Sequence, residues 1–176
     1  MKITDLKQLE PCENGYKFAQ SKNSLIDAWN TCERGDWMLW FAQKLNCPLQ
    51  LLTLAKGRCA ETVMHLMRDE RSRKAIKVAI DFGNGNASRE ELYAAAAAAY
   101  NAAAKATDYA AAEYAAKTAS YAASDYAADA AASAAAYAAA SDCTADDAAD
   151  AARKENQLQT ANICREMLTD FISSKL

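Results

Sequence analysis

Ser88-Arg89-Glu90-Glu91-Leu92-Tyr93-Ala94-Ala95-Ala96-Ala97-Ala98-Ala99-Tyr100-Asn101-Ala102-Ala103-Ala104-Lys105-Ala106 opens with a serine and carries a glutamate three residues later. That is a capping box, in which each side chain satisfies the other's free backbone N–H. Alanine, the strongest helix former, dominates the rest of the stretch, so the spacing predicts a helix over 88–106. The pattern continues. Of 176 residues 43 are Ala, and 34 of those lie between residues 94 and 152. Thr107-Asp108 and Ser124-Asp125 read as helix restarts, giving further helices over 108–122, 124–141 and 145–173. Alanine faces carry no protruding side chains, so their axes can approach to the short end of the usual 8–10 Å or below. Tyr93 and Tyr100, Tyr114 and Tyr121, and Tyr126 and Tyr137 keep helical spacing. Their rings are expected to fill grooves between alanine ridges.

Residues 1–87 read differently. Ser24, with Asp27 three residues on, starts a helix carrying Leu25, Ala28, Trp29 and Cys32. Gly35 is expected as the left-handed residue that closes it, and Asp36 as the cap of a helix over 37–45. Pro48 suits the first turn of a third helix reaching Met67. A fourth covers 72–82, with Ile76, Ala79 and Ile80 inward, and Gly83-Asn84-Gly85-Asn86 breaks it. Val occurs twice and Ile six times, too few to cover a sheet. The fold class is therefore all-α: one multi-helix bundle over 1–176, with a Trp/Leu-rich half (1–87) and an Ala-rich half (88–176) of closely packed helices.

Charge is unevenly spread. Residues 1–87 carry 13 Lys+Arg against 10 Asp+Glu, and residues 88–176 carry 7 against 13. No base stands between Lys117 and Arg153, where Asp125, Asp129, Asp142, Asp146, Asp147 and Asp150 do. This disfavours nucleic acid, whose phosphates an acidic face repels. Asp142, Asp146 and Asp150 repeat at four-residue spacing and share one helix stripe. With Tyr126 and Tyr137 as aromatic anchors, these six Asp are the candidate partner-binding surface, suited to a basic protein. The competing reading is a solvated helix face.

No apolar run stands near the N-terminus, and the longest uncharged stretch of the Ala-rich part, Leu92 to Ala104, has 13 residues where a membrane span needs about 20. A cytoplasmic chain with no membrane partner is expected, its six cysteines mostly reduced core residues. Their spacings contain no C-x-x-C, so neither metal nor cofactor is expected. His65 has no nucleophile at fixed spacing and reads as a partly buried structural side chain. Arg71, Arg73 and Lys74 offer either an anion grip or a set of local ion pairs. Thr107 and Thr118 are eleven apart, but Asp129 breaks the row at once, so an ice-binding face is not indicated. Catalysis has little support.

Three blocks resemble the immunity proteins of bacterial polymorphic toxin systems, small all-helical partners of toxins. The first is Trp29-Asn30-Thr31-Cys32-Glu33-Arg34-Gly35-Asp36-Trp37-Met38-Leu39-Trp40. The second is Arg58-Cys59-Ala60-Glu61 with Arg71-Ser72-Arg73-Lys74-Ala75-Ile76, where Ser72 stands in place of the usual Pro. The third is Glu90-Glu91 leading into the alanine runs. The resemblance implies a non-catalytic protein that binds and neutralises a cognate toxin. The alternative is a structural scaffold that forms homo-oligomers through its Tyr/Ala faces. Within the first block, Gly35-Asp36-Trp37 is expected to be a structural corner rather than a site.

Overall fold

A computed structural model gives the fold and describes residues 1–67, 69–103 and 146–176. The described residues are all-α, in agreement with the sequence. A 3-10 segment over Ile3–Leu9 precedes α1 (Glu13–Gln20), α2 (Leu25–Thr31), α3 (Gly35–Lys44) and α4 (Leu49–Glu61). A 3-10 turn (Met64–Leu66) leads to α5 (Glu70–Gly83), then α6 (Arg89–Ala103); α7 (Asp146–Ser173) closes the chain. No described helix is long and apolar enough to cross a membrane. The expected helices over 108–122 and 124–141 lie outside the described residues, as do Tyr114 and Tyr121.

Local chemistry explains the starts and stops. Ser24 Oγ accepts from Asp27 N at 3.1 Å, which opens α2. The Ser88 box closes both ways: Glu91 N donates to Ser88 Oγ at 3.1 Å, and Ser88 N donates to Glu91 Oε2 at 2.7 Å. Gly85, at φ 78°, makes the left-handed turn between α5 and α6 that only glycine adopts freely.

α4 is the central element, packed by α5 on one side and α7 on another, with burial around most of its circumference. Gly57 lies on that packed surface, where a Cβ would stand 3.0 Å from Ile80 Cγ1. At Gly83 a Cβ would run into Leu54 and the backbone of Gln50. Both glycines give up helix propensity so that α4 and α5 can meet closely. α6 then packs on α5 through Ala95 and Ala99 against Ala75 and Ile76, the close alanine packing the composition implies. Five buried residues of α7 recur every four positions, Asn156, Thr160, Cys164, Leu168 and Ile172, with Ala161 buried beside them. They form one ridge that lies against α3 and α4.

Several expectations need correction. Gly35 is the first residue of α3 and not a left-handed closing residue, and the N-cap is Arg34 rather than Asp36. The reason is tertiary: a Cβ on Gly35 would sit 2.5 Å from Thr160 Oγ1 and 2.8 Å from the Thr160 carbonyl carbon. α4 stops at Glu61, short of Met67, because Thr62 Oγ1 donates to Cys59 O (2.7 Å) and accepts from Asn156 Nδ2 on α7 (3.0 Å). His65 is exposed on the 3-10 turn, not partly buried. Tyr93 is 58% exposed, so its ring fills no groove among the described residues.

Arg71 and Arg73 are tied up locally rather than gripping an anion. Arg71 pairs bidentately with the Asp69 carboxylate at 2.9 and 2.6 Å; Arg73 donates to Met67 O and to Glu70. Together they clamp the turn before α5. The Arg71 hydrogen bond is the largest influence holding the Asp69 carboxyl down, from its ordinary 3.8 to about 2. A carboxyl depressed in the folded state stabilises fully above its unfolded value and loses that contribution as pH falls through the folded one. The acid-sensitive window of this clamp is therefore about pH 4 down to 2. Arg71→Ala is expected to move the Asp69 midpoint up toward 3.8, read by carboxyl NMR titration. A midpoint that stays near 2 would show that the pair is not its cause.

Candidate functional site

Among the described residues, a concavity lies where the N-terminal 3-10 segment, α1, α2 and α3 converge. It encloses about 620 Å³, within the 300–1,000 Å³ usual for binding cavities. Leu6, Ala19, Leu25, Ala28, Trp29 and Met38 form buried parts of its wall. Phe18, Trp37 and Trp40 are half-buried around it, and Cys12 and Glu10 stand exposed at its edge. The chain has three tryptophans, and all of them line this one space.

Short-range order in the sequence positions the wall. The α2–α3 corner carries Arg34, whose guanidinium forks onto Asp36: Nε donates to Oδ1 at 2.8 Å and Nη2 to Oδ2 at 2.6 Å. The same guanidinium lies over the Trp37 ring, 4.8 Å from its centroid. Trp37 in turn meets Phe18 of α1 with centroids 5.9 Å apart, a tilted contact. Deeper in, Trp29 packs tilted on Phe41 at 6.4 Å, and its Nε1 donates to Thr169 Oγ1 of α7 at 2.9 Å. Arg165 of α7 donates to Cys32 O and holds the corner from behind.

The electrostatics favour an apolar occupant. Lys22 stands over Phe18 at 4.8 Å, Arg34 over Trp37, and Lys44 over Trp40 at 5.9 Å, so these rings already have cations of their own. Asp36 is already paired by Arg34. The lining includes no histidine; the Cys12 Sγ accepts from Gly15 N as the cap of α1, and burial pushes the Cys32 thiol up. These walls can hold a hydrophobe, and they offer no paired nucleophile and base.

A second hollow of about 590 Å³ lies between α4 and α7, lined by Arg58, Glu61, Gln159 and Glu166 among others. Arg58 pairs with Glu61 there at 2.8 Å. Four of the five described cysteines, Cys32, Cys47, Cys59 and Cys164, are buried free thiols, as the sequence implies; Cys12 is exposed.

The acidic candidates fare differently. Asp125, Tyr126, Asp129, Tyr137 and Asp142 lie outside the described residues, and so does Cys143. Asp146 and Asp147 are the first two residues of α7, where a helix dipole favours negative charge. Asp150 is exposed one turn later. In sequence, Gly35-Asp36-Trp37 reads as a corner alone. It is a corner, but Asp36 and Trp37 also wall the cavity. The signal in the chain is three tryptophans and Phe41 within thirteen residues on two short helices, more aromatic surface than such helices can bury between themselves. Compared with protein-family models, with curated proteins and with solved structures, the chain matches none.

Proposed function

We propose that this chain is a non-catalytic, cytoplasmic bacterial immunity protein that binds and neutralises a cognate toxin. In this reading the cavity between α1, α2 and α3 is the socket for an apolar side chain of that toxin. One observation carries the reading: the Trp29–Trp40 block, one of the two more specific blocks of the resemblance, lines a cavity, with Trp29 and Met38 in its buried wall and Arg34, Trp37 and Trp40 half-buried around it. Interfaces draw most of their energy from a few aromatic or arginine residues around well-packed pockets. Trp37, Trp40 and Arg34 are of that kind. The acidic run from Asp125 to Asp150 would steer a basic toxin toward the site, an effect that salt screens.

The test starts from the adjacent genes, where the reading expects a toxin-domain protein; a neighbourhood without one would count against it. Co-expression with this chain should relieve that protein's toxicity, and mixing the two should give a complex in which Cys12, at the cavity edge, is shielded from alkylation. Peptide mapping separates Cys12 from the other thiols. Failure to relieve toxicity, or a complex that leaves Cys12 fully reactive, would contradict the reading. A chain that instead elutes as a stable multimer of itself, and ignores the toxin, would favour the scaffold.

A further inference from the structure

α4 and α7 each bring one cysteine to the middle of their contact. Cys59 and Cys164 are both 0% exposed, and their sulfurs stand 4.0 Å apart. Each thiol otherwise faces a backbone carbonyl: Thr160 O lies 3.7 Å from Cys59 Sγ, and Gly35 O lies 3.7 Å from Cys164 Sγ. Ala60 and Ala161 stand close to them in the chain, also fully buried. The contact with Cys59 and burial hold the Cys164 thiol well above its ordinary pKa, so in the closed fold it stays protonated and unreactive.

We propose that Cys59 and Cys164 are an oxidisable modification site, which a hydroperoxide converts into a disulfide between α4 and α7. The sulfurs must close from 4.0 Å to a bond of about 2.05 Å. That asks a closure of about 2 Å of the two side chains together. In the first step the Cys59 sulfur, exposed during a local opening and losing its proton, attacks the O–O bond of hydrogen peroxide; this yields a sulfenic acid and water. In the second, the Cys164 sulfur displaces the sulfenic oxygen, which leaves as water with the Cys164 proton. Two thiols lose two electrons, and one peroxide is reduced to two waters. The cross-link encloses residues 60–163, and it fixes the junction at which Gly35 begins α3, behind the cavity wall. Cytosolic disulfides are rare except as transient, redox-sensing bonds, and a pair that rests reduced and closes under oxidant has that character.

The experiment treats the full-length, reduced protein with hydrogen peroxide over a time course, then traps free thiols by alkylation in denaturant and maps the peptides. The expected result is a Cys59–Cys164 cross-linked peptide, with the thermal midpoint raised by about 5 °C or more. Cys59→Ala keeps the small apolar side chain and should lose both the cross-link and the rise. Cys59 and Cys164 recovered as free thiols, while Cys12 or Cys143 carries the oxidation, would overturn the proposal. So would a Cys32–Cys164 cross-link. The readout is independent of any toxin, so it stands or falls apart from the function proposed above.

Discussion

Trp29→Ala is expected to remove about 4 kcal/mol of stability, in the range seen when a fully packed Trp or Phe is cut to Ala. Trp29 is 3% exposed, touches Phe41, and joins α2 to α7 through its bond to Thr169. The loss combines transferred apolar surface, an enlarged void beside the cavity, and one hydrogen bond. For a domain of this size, about 4 kcal/mol lowers the thermal midpoint by roughly 8–16 °C. Trp29→Phe should lose much less, about 1 kcal/mol for the bond to Thr169. Thermal unfolding followed by circular dichroism separates the two variants. Equal losses would mean that the ring itself contributes little.

Gly35→Ala is expected to destabilise by about 3 kcal/mol, at the upper end for overpacking. The direction is informative because propensity argues the opposite: alanine in a helix is favoured over glycine by up to about 1 kcal/mol. The new Cβ would meet the backbone of Thr160 on α7, which cannot rotate aside as a side-chain tip can. Gly85→Ala is the control. There φ is 78° and nothing lies within 4 Å, so only the backbone strain, about 1–2 kcal/mol, should appear. If Gly35→Ala matched or exceeded wild type in chemical denaturation, the close α3–α7 approach would be wrong.

These two residues also mark how far local chemistry reaches. Caps and breakers are written locally, so Ser24, the Ser88–Glu91 box and the turn at Asn84-Gly85 are legible from their own neighbours. The all-α class is legible in the scarcity of β-branched residues and in the alanine runs. Gly35 misleads because its constraint comes from Thr160, which sequence spacing cannot place beside it. The end of α4 is hidden for the same reason: Asn156 of α7 engages its capping residue Thr62 from across the fold. Charge asymmetry is visible in a sequence, and it points to the Asp run. A cavity is defined by what does not fill it, and no periodicity reports that. Only the crowding of Trp29, Trp37, Trp40 and Phe41 points there.

The most direct test of a toxin-binding role compares wild type with Trp37→Ala. Trp37 is half-buried, so its truncation should leave the circular dichroism spectrum intact while opening the socket. Binding to the proposed cognate toxin domain is measured by calorimetry at two salt concentrations. Wild type should form a saturable complex, weaker at high salt, and Trp37→Ala should bind at least about 30-fold more weakly, the mark of an interface anchor. Equal affinity of a folded Trp37→Ala would contradict the socket, and no binding by wild type would contradict the role itself.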